Sequence, residues 1–176
     1  MCNNRGIGVD GGLPWRLKGD MAFFRKITSK TADETRQNAV VMGRKTWESI
    51  PVKFRPLKNR INVVISSTLQ EGQADGATIA RSFEDAIRIL QEEYNEQLAD
   101  IFVIGGASIY EAALESPLCF RIYLTRVQGD FKCDTFFPEF ENDSKFKEVE
   151  NLDEKIPQGI QEDSGIKYTF HVFEKV

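Results

Sequence analysis

One carboxylate stands apart among the residues of this chain that could do chemistry. Asp20 is followed by Phe23, Phe24 and Ile27, and in a helix all four share one face. Two readings of Asp20 stand side by side. An aspartate after a glycine at a helix start is an N-cap that accepts from first-turn backbone N–H groups. In an apolar pocket the same carboxylate would have a raised pKa and could handle protons. No second carboxylate sits at a spacing that would make a glycosidase pair. His171 is the single histidine. It lies in the alternating segment Tyr168–Phe173 and reads as structural, and one histidine excludes most histidine-based metal sites. No metal site is expected.

Anion chemistry is suggested at two places. Val40-Val-Met-Gly43-Arg-Lys-Thr46 and Val103-Ile-Gly105-Gly106-Ala-Ser-Ile109 both run from an apolar strand through glycine into a helix. Glycine permits close backbone approach, and a helix start offers free N–H donors to phosphate. Arg44 and Lys45 add positive charge, and Ser66 and Ser67 end a third strand with hydroxyls. Such a set suits a ligand with several phosphates, including the extra one of NADP. Taken singly, each junction is equally a strand ended by glycine beside solvated cations.

A third glycine motif is deceptive. Gly6-Ile7-Gly8-Val9-Asp10-Gly11 matches the dinucleotide fingerprint, but only five residues precede it and Gly12-Leu13-Pro14-Trp15 follows. No strand leads in and no helix opens, so the fingerprint reading fails. The segment reads as a surface loop, or as a lid with Leu13 and Trp15 as its apolar face.

The elements that must position these residues follow from periodicity. Helices are expected over 20–28, 44–50, 82–95 and 107–115, and strands over 38–43, 60–66, 100–106, 120–127, 145–150 and 166–174. In 82–95 the stripe is Phe83, Ala86, Ile87, Leu90 and Tyr94, and Ser82 with Asp85 resembles a capping box. Residues 1–19 read as loop, and Glu139–Asp143 as a solvated acidic loop. Strand–helix alternation followed by strands predicts one α/β domain over 1–176, mostly parallel, with an antiparallel C-terminal hairpin.

Composition agrees with an ordinary single core: 41% hydrophobic and 28% charged residues. The net charge is −4 and the pI about 5.2, which disfavours nucleic acid and anionic membranes as partners. No apolar run approaches a membrane span. Cys2, Cys119 and Cys133 are far apart in sequence, so no disulfide framework or zinc knuckle is suggested. A cytoplasmic setting is the default, with a mitochondrial pool also open.

Taken together, several segments resemble the dihydrofolate reductase family in its order and near its spacing. They are Gly6-Ile7-Gly8, Leu13-Pro14-Trp15, Asp20 with Phe23-Phe24, and Met42-Gly43-Arg44-Lys45-Thr46-Trp47-Glu48-Ser49-Ile50-Pro51. Arg55-Pro56-Leu57, Arg60-Ile61-Asn62, Ile104-Gly105-Gly106 with Tyr110, Thr125-Arg126 and Asp134–Pro138 complete the set. The resemblance implies a mostly parallel central sheet flanked by helices, and reduction of dihydrofolate to tetrahydrofolate with NADPH. It also implies antifolate binding and a monomer.

The resemblance assigns roles to individual residues. Asp20 would hold the pterin's amino group and N3 and assist N5 protonation through water, before hydride reaches C6. Thr125 would support Asp20, and Leu13 and Trp15 would belong to the lid over the reaction. Phe23, Phe24, Ile50, Leu57, Ile104 and Tyr110 would line the substrate and nicotinamide pocket, and Arg60 would pair with the glutamate α-carboxylate. Cofactor contacts would come from Gly6, Ile7, Gly43, Arg44, Lys45, Thr46, Ser49, Ser66, Ser67, Arg81, Gly105, Gly106, Ala107 and Ser108. Arg44 is the candidate for the 2′-phosphate.

Two departures stand out. Vertebrate members carry arginine where Ser67 stands, which shifts weight to Arg44 and Arg81. The family also begins with an apolar strand that would end near Met1, so a truncated chain with unpaired neighbouring strand edges is an expectation here. Two alternatives share parts of the pattern. A riboflavin-pathway pyrimidine reductase has the same fold and cofactor, but the Leu-Pro-Trp…Asp-x-x-Phe-Phe context with Arg60 favours folate. An inactive nucleotide-binding relative rests on the missing strand alone.

Overall fold

A computed structural model describes residues 1–150 and 156–176. In chain order the elements begin with β1 (Gly6–Gly8), α1 (Lys18–Ser29), β2 (Gln37–Gly43), α2 (Arg44–Ser49) and β3 (Arg60–Ile65). Next come β4 (Thr78–Ala80), α3 (Phe83–Glu93), β5 (Leu98–Val103) and α4 (Ala107–Glu115). The chain ends with β6 (Arg121–Val127), β7 (Thr135–Phe136), β8 (Phe146–Glu148), β9 (Gln161–Asp163) and β10 (Ile166–Lys175). Contacts divide into two compact units: Met1–Phe23 with Leu114–Val176, and Phe24–Ala113.

The Phe24–Ala113 unit holds a parallel sheet in the order β4-β3-β2-β5. Strand β2 carries Ala39-Val40-Val41-Met42, all fully buried, as a parallel strand covered on both faces must be. The period of two sorts the strands onto two faces. Ala39, Val41, Ile61 and Val63 pack with Ala86, Ile89 and Leu90 of α3. Val40, Met42 and Val64 pack with Trp47 of α2 and Ala74. The α3 stripe therefore includes Ile89, which the expected stripe omitted.

Ser82 caps α3 as expected, its side chain accepting from Asp85 N at 3.1 Å. The Asp85 carboxylate reaches back to Arg81 N at 2.8 Å, one residue further than a capping box. Strand β5 lies at one end of the sheet order, and Ile101, Phe102 and Val103 are only half-buried.

The other unit is built on β10, which pairs antiparallel with β6, β8 and β9. Strands β8 and β10, which answer to the expected strands 145–150 and 166–174, pair antiparallel, while the C-terminal hairpin is closed by β9, a strand absent from the expected elements. The hairpin's two-residue turn, Ser164-Gly165, has φ 52° and 79°, the left-handed pair that suits a tight hairpin. Alongside the C-terminal end of β6, Met1 N donates to Thr125 O at 2.6 Å and Met1 O accepts from Val127 N at 2.9 Å. Phe140 anchors the core, with edge-on contacts to Phe137, Phe146 and Phe173.

Two expectations are corrected in this unit. The segment Glu139–Asp143 is not simply a solvated loop: Phe140 is 1% exposed, and Glu139 and Glu141 pair with Arg5 and Arg126. Residues 1–19 are not all loop, since Gly6–Gly8 pairs antiparallel with β7. His171 sits between Thr169 Oγ1 at 2.7 Å and Glu148 Oε1 at 2.5 Å, in line with a structural role. Among the described residues no helix is long and apolar enough to cross a membrane.

Candidate active site

Helix α1 begins at Lys18, whose N–H donates to Asp163 Oδ2 at 2.5 Å. Asp20 is thus the third helical residue and not the N-cap, which corrects the first of its two readings. Its side chain is tied across the unit instead: Thr125 Oγ1 donates to Asp20 Oδ1 at 2.6 Å. Burial is the largest influence on the carboxyl and pushes its pKa up. The Thr125 hydroxyl and the Met1 amino group oppose it by favouring the charged form.

Aromatic side chains pack against the same helix. Phe23 is buried and stacks at a tilt on Phe170, with centroids 4.2 Å apart. Tyr168 packs its hydroxyl against the first turn of α1, where a Cβ at Gly19 would overlap it. Burial, followed by the charges of Asp163 and Asp20, pushes the Tyr168 phenol up. Tyr168 was missed in the sequence; a tyrosine in an alternating strand carries no mark of a partner on a distant helix.

The glycine segment has a fixed root and a free tip. Beyond the β1–β7 pairing, Asp134 N donates to Gly8 O at 3.0 Å, and Val9 and Gly12 bridge one another. Ile7 is half-buried within β1. Trp15 is 9% exposed and stands edge-on to Phe131 at 5.2 Å, whereas Leu13 is 57% exposed. The two do not form one apolar face: Trp15 is an anchor and Leu13 is free.

In the Phe24–Ala113 unit the two strand–glycine–helix junctions meet. Gly43 N donates to Gly105 O at 2.7 Å, and Ile104 N to Val41 O at 2.9 Å. A Cβ at Gly43 would stand 3.7 Å from Gly106 N and 3.4 Å from Ile109. Gly105 has φ +115°, a region reserved for glycine, and a Cβ there would press on the Tyr110 ring at 3.2 Å. Gly106 and Thr46 also face each other, since a Cβ on the former would lie 3.8 Å from Thr46 Oγ1. Ala107 and Ser108 open α4 directly after this cradle.

The charged and hydroxyl residues are already engaged to differing degrees. Arg44 Nη1 pairs with both Glu48 oxygens, at 2.9 and 3.0 Å, leaving its other donors for a ligand. Lys45 is exposed, and Ser49 Oγ donates to Thr46 O at 2.6 Å. Ser66 is buried, and its Oγ accepts from Thr68 N and Leu69 N at 3.2 and 3.0 Å. That hydroxyl shapes its own loop, while Ser67 is exposed. Arg81 Nη1 donates to Ser66 O and Leu69 O at 2.8 and 2.6 Å.

Ile50, Leu57 and Ile104 gather on the Trp47 side of the sheet. Asn62, a buried polar residue inside an apolar strand, holds Leu57 by both backbone groups at 2.9 Å. Arg60 is half-buried, and its Nη1 donates to Thr28 Oγ1 at 2.8 Å. Burial, then nearby Arg25, draws its pKa down, and no carboxylate pairs with it among the described residues. A half-buried cation in that state is suited to receive an anionic ligand group. Phe24 is half-buried on α1.

Comparison with known proteins gives one answer. A family model described as dihydrofolate reductase matches residues 1–175. The chain is 43% identical over 176 residues to the dihydrofolate reductase of Drosophila melanogaster, covering 99% of this chain and 94% of that one. It is 41% identical over 179 residues to that of Gallus gallus, covering 99% of this chain and 93% of the relative. The solved structure of Schistosoma mansoni dihydrofolate reductase superposes with a TM-score of 0.87 at 40% identity. That match covers 100% of this chain and 94% of the neighbour.

Proposed function

The chain belongs to the dihydrofolate reductase family, and from that premise we propose that it reduces 7,8-dihydrofolate to 5,6,7,8-tetrahydrofolate with NADPH, through Asp20. The observation that carries the reading is the 2.6 Å bond from Thr125 to a carboxyl whose pKa burial raises. A carboxyl so placed can hold the pterin's amino group and N3 and relay a proton by water toward N5. Thr125 fixes the carboxyl's orientation. Arg60, held by Thr28, would take the substrate's glutamate α-carboxylate, and Phe23, Phe24, Ile50 and Leu57 would exclude water around the pterin and benzoyl groups.

The fit to NADPH rests on the glycine cradle. Gly105, at φ +115°, holds a conformation that excludes a side chain, and Gly43 and Gly106 beside it present bare backbone to a close ligand. Lys45, Thr46 and the spare donors of Arg44 would hold phosphates, with Arg81 and Ser67 further along; the Ser66 hydroxyl would contribute less because it already serves its loop. When bound, the cofactor supplies the hydride that passes from nicotinamide C4 to pterin C6.

The test is NADPH oxidation by this chain with dihydrofolate, with and without methotrexate. Dihydrofolate-dependent, methotrexate-sensitive turnover is the expected result. A folded chain that binds NADPH and methotrexate yet shows no turnover contradicts the reading. Turnover of a pyrimidine substrate of the riboflavin pathway instead would move it to that reductase.

A further inference from the structure

The reaction leaves two nucleophilic side chains unused, and the fold brings them together. Cys2 and Cys133 are 131 positions apart, yet their Sγ atoms stand 3.9 Å from one another. Cys2 is buried and Cys133 is partly exposed, so one thiol is reachable from solvent and the other waits behind it. Cys2 Sγ donates to Asn4 Oδ1 at 3.0 Å, and the same oxygen accepts from Gly6 N at 3.0 Å. Gly6 completes the seat, because a Cβ there would overlap Cys133 Sγ. Backbone bonds hold both segments in place: Cys2 N to Gly6 O at 3.0 Å, and Phe137 N to Arg5 O at 2.8 Å.

We propose that Cys2 and Cys133 are a peroxide-responsive thiol pair whose disulfide fastens the root of the Gly6–Trp15 segment to the chain entering β7. The sulfurs need only close from 3.9 Å to the ~2.0 Å of a bond.

The steps balance with a peroxide as the oxidant. Cys133 loses its proton and attacks one peroxide oxygen; the O–O bond breaks, releasing water or an alcohol and leaving a sulfenic acid. Cys2 Sγ then attacks the Cys133 sulfur. The S–S bond forms, the S–O bond breaks, and the oxygen departs as water with the Cys2 proton. Two electrons pass from the thiols to the peroxide. Burial, and then the hydrogen bond with Cys2, push the Cys133 thiol up, so the pair reacts slowly and answers to sustained peroxide.

The experiment exposes the chain and its Cys119→Ser variant to hydrogen peroxide, then counts thiols after denaturation and maps peptides without reductant. In the parent, three free thiols fall to one, with a Cys2–Cys133 linked peptide that dithiothreitol releases. Cys119→Ser forms the same link, and neither Cys133→Ser nor Cys2→Ala does. Trypsin cleavage at Arg16 and Lys18 should slow several-fold in oxidised Cys119→Ser and recover on reduction. Oxidation of Cys133 to sulfinic acid without a link, or links through Cys119, would overturn the pairing. An unchanged cleavage rate with the link in place would overturn the fastening. None of these readouts depends on turnover of dihydrofolate.

Discussion

Thr125 Oγ1 donates to Asp20 Oδ1 at 2.6 Å, joining strand β6 to the first turn of α1 across 105 positions of sequence. The bond sets both the direction of the carboxyl and the balance of its two protonation states. Burial raises the Asp20 pKa, and this hydrogen bond is the largest of the influences that restrain it.

Thr125→Val removes the hydroxyl and keeps the shape. With the charged form deprived of its donor, the Asp20 pKa should climb further. The limb of the pH–rate profile that Asp20 controls should move to higher pH, with NADPH affinity unchanged. A profile superimposable on the parent's would show that the bond does not reach the chemistry.

The same carboxyl should cost stability at neutral pH. The folded-state pKa lies above the unfolded value, so the fold favours the protonated form. That contribution is full below the unfolded pKa of ~3.9 and is lost as pH rises through the folded value. Asp20→Asn, which cannot ionise, should therefore melt higher than the parent near neutrality. The gap should close as the pH falls toward ~4. Calorimetry of both proteins over that range decides it, and a variant that melts lower at neutral pH would contradict the argument.

Arg60 is placed for a carboxylate that the described chain does not supply. Arg60→Ala should raise KM for dihydrofolate roughly 10- to 100-fold, the scale of a charge-assisted bond, with a smaller change in kcat. A folate analogue lacking the glutamate should bind parent and variant alike. Equal loss for both ligands would make Arg60 a prop of the fold, working through Thr28.

Gly105 and Gly43 look equivalent in sequence but differ in space. At Gly105 (φ +115°) an alanine is strained and meets Tyr110, whereas at Gly43 its nearest contact would be Ile109 at 3.4 Å. Gly105→Ala should destabilise by about 1–3 kcal/mol, and Gly43→Ala by clearly less. Urea unfolding of the two variants measures the difference, and equal midpoints would refute it.

Local pattern made much of the fold legible. The buried apolar runs of β2 and β3 and the Ser82 cap follow from residues close in sequence. Asp20 was legible as a carboxylate on an apolar face, but its place inside the helix was not, because Lys18 begins the helix with help from Asp163. The remaining surprises come from topology. Nothing near Cys2 marks Cys133 as its neighbour, and nothing near Gly6 announces a pairing with β7. Ser66 and Arg44 look free in sequence because the loop N–H groups and the Glu48 carboxylate that engage them carry no local signal.

The central claim is that Asp20 manages the proton in dihydrofolate reduction, and turnover of Asp20→Asn against the parent across the pH range tests it most directly. The variant should lose about 10²- to 10⁴-fold in kcat at neutral pH, bind NADPH as the parent does, and recover in part as the pH falls and solvent supplies the proton. A variant that reduces dihydrofolate at the parent's rate near neutrality would remove Asp20 from the mechanism.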